Sequence, residues 1–320
     1  MPEAVDVLSA TRLTLEAALR APSAHNAQPW RLSRIEGDRY ELWYAFADKL
    51  LADPDDRDGL IAVGGFFETM LLAGEARGLE TEFEPGVVRH ASGITLGTVR
   101  FVPLLRDPDP LSEAIERRQC NRYPYDRSPL PGDLRADLEA NGNVILPVAN
   151  VVELVSRASI LSWMDRRFVS DLATWTRFVP IAADGMTFDC LRVDRFDEVA
   201  LRVALRLGRL PRWLAWFYAQ RDVRLTRASS AMAVLTVEGR DPLTLFDCGR
   251  RLIRSWTLIN SRGFAWHPMS VVIDQSTVSE LSTLLGGRDA VAIYRVGRPT
   301  GSAAWSQRRS LDAILVPTPR

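Results

Sequence analysis

Two long apolar helices that look like copies of each other restrict the fold more than any other feature of the sequence. The first is predicted to end at Gly78 and the second at Gly263. Each carries another glycine 14 residues earlier, Gly64 or Gly249, and an arginine directly before its closing glycine. We interpret the pair as an internal duplication of a helix–strand unit. Chance agreement between two apolar helices is the alternative.

Hydrophobic periodicity and turn residues predict the other elements. The first long helix should begin at Asp58 and the second at Asp241, because aspartate is a favourable N-cap residue. The predicted helices cover 6–20, 58–78, 108–118, 131–140 and 241–263, and residues 151–220 are mostly helical; the strands cover 30–35, 40–46, 94–102 and 290–296.

Composition excludes several classes of function. Lys plus Arg and Asp plus Glu each number 40, so no excess positive charge points to a nucleic-acid partner. The three cysteines are far apart and have neither metal nor redox spacing, which favours a reducing cytoplasm and no metal site. No secretory signal and no apolar run of membrane-spanning length is present, so we expect neither export nor a membrane partner.

The segment from Ala21 to Trp30 is the most distinctive candidate site. Pro22 and Pro29 fix its path, and small residues between them let a planar ligand approach the backbone. Ser23, Asn26 and Gln28 add hydrogen-bond donors and acceptors. A capped structural loop is the alternative explanation of the same residues.

A second candidate site is the arginine-rich segment at residues 117–122. Guanidinium groups pair bidentately with phosphate, so Arg118 and Arg122 with Arg117 form a plausible anion site. The alternative is a helix C-terminus decorated with cations, which the helix dipole favours.

These two segments resemble motifs of the nitroreductase superfamily of flavin mononucleotide (FMN) proteins. The family's flavin-ring loop has the form Pro-Ser-x-x-Asn-x-Gln-Pro-Trp, and its FMN-anchoring motif has the form Arg-x-Ser-x-Arg/Lys. Cys120 replaces the usual hydroxyl residue of the second motif, which removes one expected hydrogen bond. The matching positions are Pro22, Ser23, Asn26, Gln28, Pro29, Trp30, Arg118, Cys120 and Arg122, and Ala24 is included in the expected site.

Two later segments complete the resemblance. In the family, a proline-centred loop offers a backbone N–H to flavin N5, and Pro268, Met269, Ser270 and Val271 occupy its place here. Ser270 or Val271 would supply that N–H. The family also returns a late basic residue to the FMN phosphate, and Arg308 or Arg309 fits this role. The order of the elements is similar to that of the Acg-like proteins, which carry two nitroreductase-type repeats in one chain.

The resemblance implies an α+β fold whose pseudo-twofold-related halves hold mixed, mainly antiparallel sheets wrapped by helices. The first half is predicted over residues 1–107 and the second over 108–320, with a helical, lid-like insertion at about 157–220. Because one chain supplies both halves, a monomer suffices, although a higher oligomer is compatible. No nucleotide-binding Gly-x-Gly-x-x-Gly or P-loop motif is present, so a dinucleotide would bind only transiently.

The implied function is hydride transfer through flavin N5, from NAD(P)H to an electron-poor small-molecule acceptor. We assign no side chain as a catalytic acid or base, because the flavin carries the chemistry. Two alternatives use the same cradle: an FMN-sequestering protein with little reductase activity, and a flavin-dependent dehydrogenase or oxidase of a biosynthetic intermediate.

Overall fold

The computed structural model describes residues 6–192 and 195–317. The helices are α1 Val7–Ala18, α2 Arg57–Glu75, α3 Gly132–Ala140, α4 Val148–Met164, α5 Arg166–Trp175, α6 Phe188–Leu191, α7 Arg195–Leu207, α8 Arg212–Arg227, α9 Pro242–Ser261, α10 Val271–Asp274, α11 Val278–Leu284 and α12 Leu311–Ile314. The strands are β1 Trp30–Glu36, β2 Arg39–Ala45, β3 Leu79–Arg89, β4 Gly93–Pro103, β5 Asn143–Leu146, β6 Thr176–Arg177, β7 Met186–Thr187, β8 Ala231–Val237, β9 Ala265–Pro268 and β10 Asp289–Gly297.

Two four-stranded antiparallel sheets share one strand order. The first sheet runs β1-β2-β4-β3 and the second runs β5-β8-β10-β9. In each sheet the third strand along the chain lies at the edge, and a long helix, α2 or α9, precedes it. A shorter helix, α1 or α3, precedes the first strand of each sheet. This repeated α–β–β–α–β–β order supports the predicted duplication.

The two long helices pack closely against each other, and their glycines permit the contact. A Cβ atom added at Gly64 would overlap the carbonyl oxygen of Phe246, and one added at Gly249 would overlap that of Ile61. Across the same interface, the buried carboxylate of Glu68 accepts hydrogen bonds from α9. The donors are Arg250 Nε and Arg254 Nη1, both 2.9 Å away.

Each sheet contributes aromatic side chains to a buried core. In the first half, Trp30 of β1 stacks on Phe66 of α2 with ring centroids 5.1 Å apart. In the second half, Trp266 of β9 stacks between Trp256 of α9 and Tyr294 of β10. Burial of such apolar side chains is the main force holding helices onto sheets.

The helical insertion lies in one connection between strands of the second sheet. Helices α4 to α8 lie between β5 and β8, the first two strands of that sheet along the chain. The equivalent connection in the first sheet is the tight turn at Gly37, which has the positive φ of 57° that glycine tolerates. The predicted insertion at 157–220 therefore falls inside a longer helical connection.

Two local predictions are wrong. Residues 108–118 hold a single 3₁₀ turn at Ile115–Arg117. Proline at 108 and 110 removes backbone donors, and the side chain of Asp109 accepts from Leu111 N, so helical bonds are replaced locally. The first long helix begins at Arg57, with Asp56 at the N-cap position, so Asp58 lies in the first turn.

Candidate functional site

A cavity of about 990 Å³ lies where the two halves and the helical insertion meet. The first half contributes the end of α1, the loop that follows it and one face of α2. The second half contributes the 116–123 segment, α9, the end of β9, part of β10 and the chain at 303–309. The predicted site residues line this cavity except Gln28, Pro29 and Trp30 of the first segment and Arg117 of the second. The structure thus brings together segments that are far apart in sequence.

The loop after α1 is held in an unusual backbone conformation. His25, Asn26 and Gln28 have φ values of 53°, 58° and 56°, a region that residues other than glycine rarely adopt. Ser23 Oγ accepts from Gln28 N at 2.9 Å and closes the loop. Backbone strain of this kind persists only where surrounding contacts impose it, and it clusters at binding sites.

Those contacts come from two distant segments. Asn26 donates through Nδ2 to the carbonyl oxygens of Gly185, at 2.9 Å, and Gln307, at 3.2 Å. The amide of Gly185 donates back to Asn26 O at 3.2 Å. The loop is therefore joined to both the helical insertion and the C-terminal segment.

Gln28 lies behind the loop, fully buried and outside the cavity lining. Its Nε2 donates to Ala183 O at 2.9 Å and to Asn26 O at 3.3 Å, and its Oε1 accepts from Arg309 N at 2.9 Å. The side chain thus positions the loop rather than presenting its amide to the cavity.

One wall of the cavity carries buried cations. Arg118 is 3% exposed, donates to Arg20 O at 2.6 Å and lies 4.4 Å over the ring of Trp256. Arg308 donates to Ala21 O at 3.2 Å and to Arg20 O at 3.4 Å. Within residues 6–192 and 195–317, the side chains of Arg20, Arg118 and Arg308 have no carboxylate partner, and Arg118 Nε has no acceptor.

The lowered pKa values of Arg118 and Arg308 show that none of the carboxylates that the structure describes compensates these cations. Burial, together with repulsion from the neighbouring Arg308 and Arg20, lowers the pKa of Arg118 to about 9. Burial and Arg20 lower the pKa of Arg308 to about 10. Cations that repel one another in a desolvated site are stabilised by an anion, so this wall is suited to bind one.

The other predicted arginines are engaged differently. Arg309 Nη2 lies 2.9 Å from both Asp48 and Asp184, so carboxylates neutralise its charge. Of the two predicted tail residues, Arg308 is therefore the cation available to a ligand. Arg122 donates to Cys190 O at 2.9 Å, which links the 116–123 segment to the insertion.

The loop after β9 presents free backbone donors. Met269 N donates to Ile293 O at 2.8 Å and fixes the loop on β10. The N–H groups of Ser270 and Val271, at the start of α10, have no acceptor in the described part of the chain. Both residues line the cavity, as do Pro268 and Met269.

A charged cluster lies beside this loop. Arg57 donates to Asp58 Oδ1 at 2.7 Å and to Asp274 Oδ1 at 2.5 Å, tying α2 to α10. Burial raises the pKa of Asp274 to about 6, although Arg57 opposes the shift. The carboxylate of Asp53 accepts from Gly59 N at 3.1 Å, and burial with nearby Asp58 raises its pKa to about 7.

Sequence reasoning missed several cavity residues. Arg20 was not predicted, although its position two residues before Pro22 is a usable signal. Trp256 and Ile253 lie on the face of α9 that lines the cavity, and the helical period alone does not show which face that is. The described residues contain neither a group of side chains arranged to hold a metal ion nor a helix long and apolar enough to cross a membrane.

Comparison with known sequences finds relatives named as nitroreductases. "Putative NAD(P)H nitroreductase Rv3131" of Mycobacterium tuberculosis is 30% identical over 176 residues, which cover 52% of this chain and 50% of that protein. The match thus spans about half the length of that relative. "Probable NAD(P)H nitroreductase PigM" of Serratia sp. is 24% identical over 346 aligned residues, covering 94% of this chain and 88% of PigM. The chain is thus similar to proteins named as nitroreductases, in agreement with the resemblance of its motifs to the nitroreductase superfamily.

The relationship includes the Acg-like proteins of the superfamily. The Acg protein of M. tuberculosis is 26% identical over 194 residues, covering 55% of this chain. No protein-family model matches the chain. Among solved structures, a "putative nitroreductase" from Anabaena variabilis superposes with a TM-score of 0.44 at 10% identity, covering 82% of this chain and 69% of that one. The α+β architecture predicted from the sequence, with mainly antiparallel sheets and helices in two halves, is confirmed by the structure.

Proposed function

We propose that the chain binds one FMN in the cavity between its halves and acts as an NAD(P)H-dependent oxidoreductase. The observation that carries the proposal is the wall formed by Arg20, Arg118 and Arg308, three cations without a carboxylate partner in the described residues. Such a wall fits a terminal phosphate. The names of the related proteins are consistent with this assignment.

The cavity residues fit the parts of FMN. Arg118 and Arg308 would hold the phosphate, since charge-assisted bonds from guanidinium groups to phosphate are strong. The loop from Pro22 to Asn26 would lie along the ring, and the N–H groups of Ser270 and Val271 would face its N5 edge. The described wall includes no adenosine-binding fingerprint, so we expect FMN and not FAD.

Bound FMN would supply two-electron transfer between NAD(P)H and an electron-poor acceptor. The chain's own residues have three tasks. The strained loop at His25 to Gln28 presents a rigid surface. The donors at Ser270 and Val271 supply preorganised positive ends of dipoles. The helical insertion, through residues such as Trp163, Phe168 and Tyr218, limits access of water.

Anaerobic mixing with NADPH or NADH tests the reductase assignment. The oxidised flavin absorbance near the visible maximum should fall within the mixing time or over a few seconds, and an added nitroaromatic or quinone should restore it. Dithionite, which reduces accessible flavin without a nicotinamide site, is the control. Bleaching by dithionite but not by NAD(P)H would refute NAD(P)H-dependent reduction.

A sequestering protein is the second candidate, and one observation favours it. The insertion is fastened to the flavin-loop segment by reciprocal bonds between Asn26 and Gly185 and to the arginine motif by Arg122 and Cys190. A cover fixed in this way would hold FMN and exclude a second substrate. Slow bleaching even by dithionite, with retention of FMN on dilution, would support this candidate over the reductase.

A further inference from the structure

His267 is a cavity residue that neither the sequence motifs nor the proposed cofactor contacts assign to a task. It lies on β9 directly before the Pro268 loop, is 8% exposed and lines the cavity. Its Nδ1 accepts a hydrogen bond from Arg295 Nε at 2.9 Å. Its Nε2 has no partner among the described residues, yet it is not enclosed by protein, so it borders the cavity.

Arg295 is buried and fixed in place, and its hydrogen bond to His267 can run in only one direction. The residue is 0% exposed, donates through Nη2 to Tyr123 O at 2.9 Å and lies 4.1 Å over the ring of Tyr125. A guanidinium group only donates hydrogen bonds, so Nδ1 of His267 must be the unprotonated nitrogen. The proton of a neutral imidazole is then on Nε2, the atom that borders the cavity.

The surrounding charges keep this imidazole neutral. Burial lowers the pKa of His267 well below its ordinary value, and Arg295, Arg122 and Arg221 add to the effect. Asp222, an acidic residue that also lines the cavity, accepts from Ser159 Oγ at 2.7 Å, and burial raises its own pKa. A second proton on His267 would have to displace the donor Arg295 from Nδ1.

We propose that His267 is a neutral hydrogen-bond donor, fixed as the Nε2–H tautomer by Arg295, for an acceptor oxygen of the molecule bound in the cavity. Arg295 is a positioning residue that acts through His267. The identity of the bound molecule rests on the proposed function: the oxygen belongs either to a flavin carbonyl or to the electron acceptor. In both cases the imidazole stabilises negative charge that develops on that oxygen.

Nuclear magnetic resonance of the protein labelled with ¹⁵N-histidine tests the tautomer without any ligand. The chain has three histidines, so the variants H25Q and H90Q assign the signals. We expect His267 to give one protonated and one bare ring nitrogen from pH 5 to pH 8, with the proton on Nε2. A proton on Nδ1, or titration to imidazolium near pH 6.5, would overturn the proposal.

The same spectra test the positioning role of Arg295. In the variant R295M, the fixed acceptor role of Nδ1 is lost, so we expect a mixture of the two tautomers. R295K retains a donor and should retain the Nε2–H form. If R295M fails to fold, the wild-type and R295K spectra still decide, because an Nδ1–H signal in either contradicts the assignment.

Two variants at His267 identify the acceptor oxygen. H267N keeps an amide oxygen that can accept from Arg295 but removes the cavity donor, whereas H267Q can replace the donor at the Nε2 position. Loss of one neutral hydrogen bond should weaken binding about three- to tenfold, with partial recovery in H267Q. A raised dissociation constant for FMN would show that His267 donates to a flavin carbonyl. A raised KM for the acceptor with unchanged FMN affinity would show that it donates to the acceptor. If neither constant changes, the proposal is wrong.

Flavin content separates this inference from the proposed function. Wild-type protein purified without flavin would refute FMN binding and leave the tautomer measurement standing. Wild-type protein that holds FMN, but whose His267 carries its proton on Nδ1, would refute the inference and leave FMN binding standing.

Discussion

Gly64 of α2 and Gly249 of α9 face each other's helices in a reciprocal way. The position of a Gly64 side chain is filled by the carbonyl of Phe246, three residues before Gly249, and that of Gly249 by the carbonyl of Ile61, three residues before Gly64. Equal offsets in both directions place a local pseudo-twofold axis between the helices. The relationship explains why both helices carry glycine at these matched positions.

G64A and G249A should each destabilise the protein. A methyl group would overlap a backbone carbonyl that cannot move independently of its helix, so we expect a loss of at least about 1–3 kcal/mol in the free energy of unfolding. G132A is the control, because a Cβ atom there meets nothing within 4 Å at the start of α3. Chemical denaturation measures all three; equal stability of G249A and G132A would contradict the close helix contact.

R118A and R308A should lose FMN. Each removes a charge-assisted hydrogen bond to the phosphate, which contributes about 1.5–3 kcal/mol, or about a ten- to hundredfold change in the dissociation constant. R157A, which breaks an ion pair with Glu280 on the surface, is the control. Fluorescence titration of apoprotein with FMN gives the constants. Wild-type affinity in both R118A and R308A would show that the phosphate binds elsewhere.

Q28A should loosen the loop that follows α1 even when no ligand is bound. Truncation leaves Ala183 O and Arg309 N without their partner, and a buried unsatisfied group costs about 1–3 kcal/mol. We therefore expect faster amide hydrogen exchange at residues 23–28 and 183–185 in the apoprotein. N141A, which breaks hydrogen bonds to Arg251 and Ser255 remote from the loop, is the control. Unchanged exchange in Q28A would contradict the positioning role.

D53N should stabilise the protein at alkaline pH and not at acid pH. Burial raises the pKa of Asp53 to about 7, so between about pH 4 and pH 7 the folded state holds a proton that the unfolded state has lost. The free energy of unfolding therefore falls as pH rises through this range, and asparagine removes the fall while keeping an acceptor for Gly59 N.

Thermal unfolding at pH 4.5 and pH 8 checks this sign. The Tm of D53N should exceed that of wild type by several degrees at pH 8 and match it near pH 4.5. The exposed neighbour variant D55N should show no such difference. A lower Tm for D53N than for wild type at pH 8 would contradict the raised pKa, because it would mean that the folded protein stabilises the ionised carboxylate.

Local patterns were enough to predict most of the first half. Alternating apolar residues give β1 and β2, and the glycine stops give the ends of both long helices. The failures lie where side chains replace backbone bonds. At 108–118, Glu75 accepts from Asp109 N at 2.6 Å, a partner that only the folded chain brings within reach.

The candidate site was predictable as motifs but not as geometry. The sequence could not choose between Arg308 and Arg309, because the choice depends on Asp48 and Asp184, which come from two distant segments. It also placed Gln28 among the ligand contacts, whereas its side chain faces the interior. The donor role proposed for His267 depends on Arg295, 28 positions away on a neighbouring strand.

Within residues 6–192 and 195–317, the two halves together lack the parts for a second, symmetry-related site. The loop between α1 and β1 covers residues 19–29, whereas only Asn141 and Gly142 separate α3 from β5. After β9 the chain forms the donor loop and α10, whereas β3 leads directly to β4 through the turn at 90–92. The pseudo-twofold axis therefore relates the proposed cradle to a position where the described residues form neither a ring loop nor a donor loop.

The ratio of FMN to protein in purified material tests this account most directly. Flavin released by acid and identified by chromatography, divided by protein concentration, should give one FMN per chain. Light scattering on the same sample should show that monomers retain it, because a single chain supplies both walls of the cavity. A ratio near two, FAD in place of FMN, or loss of flavin when an oligomer dissociates to monomers would contradict the account.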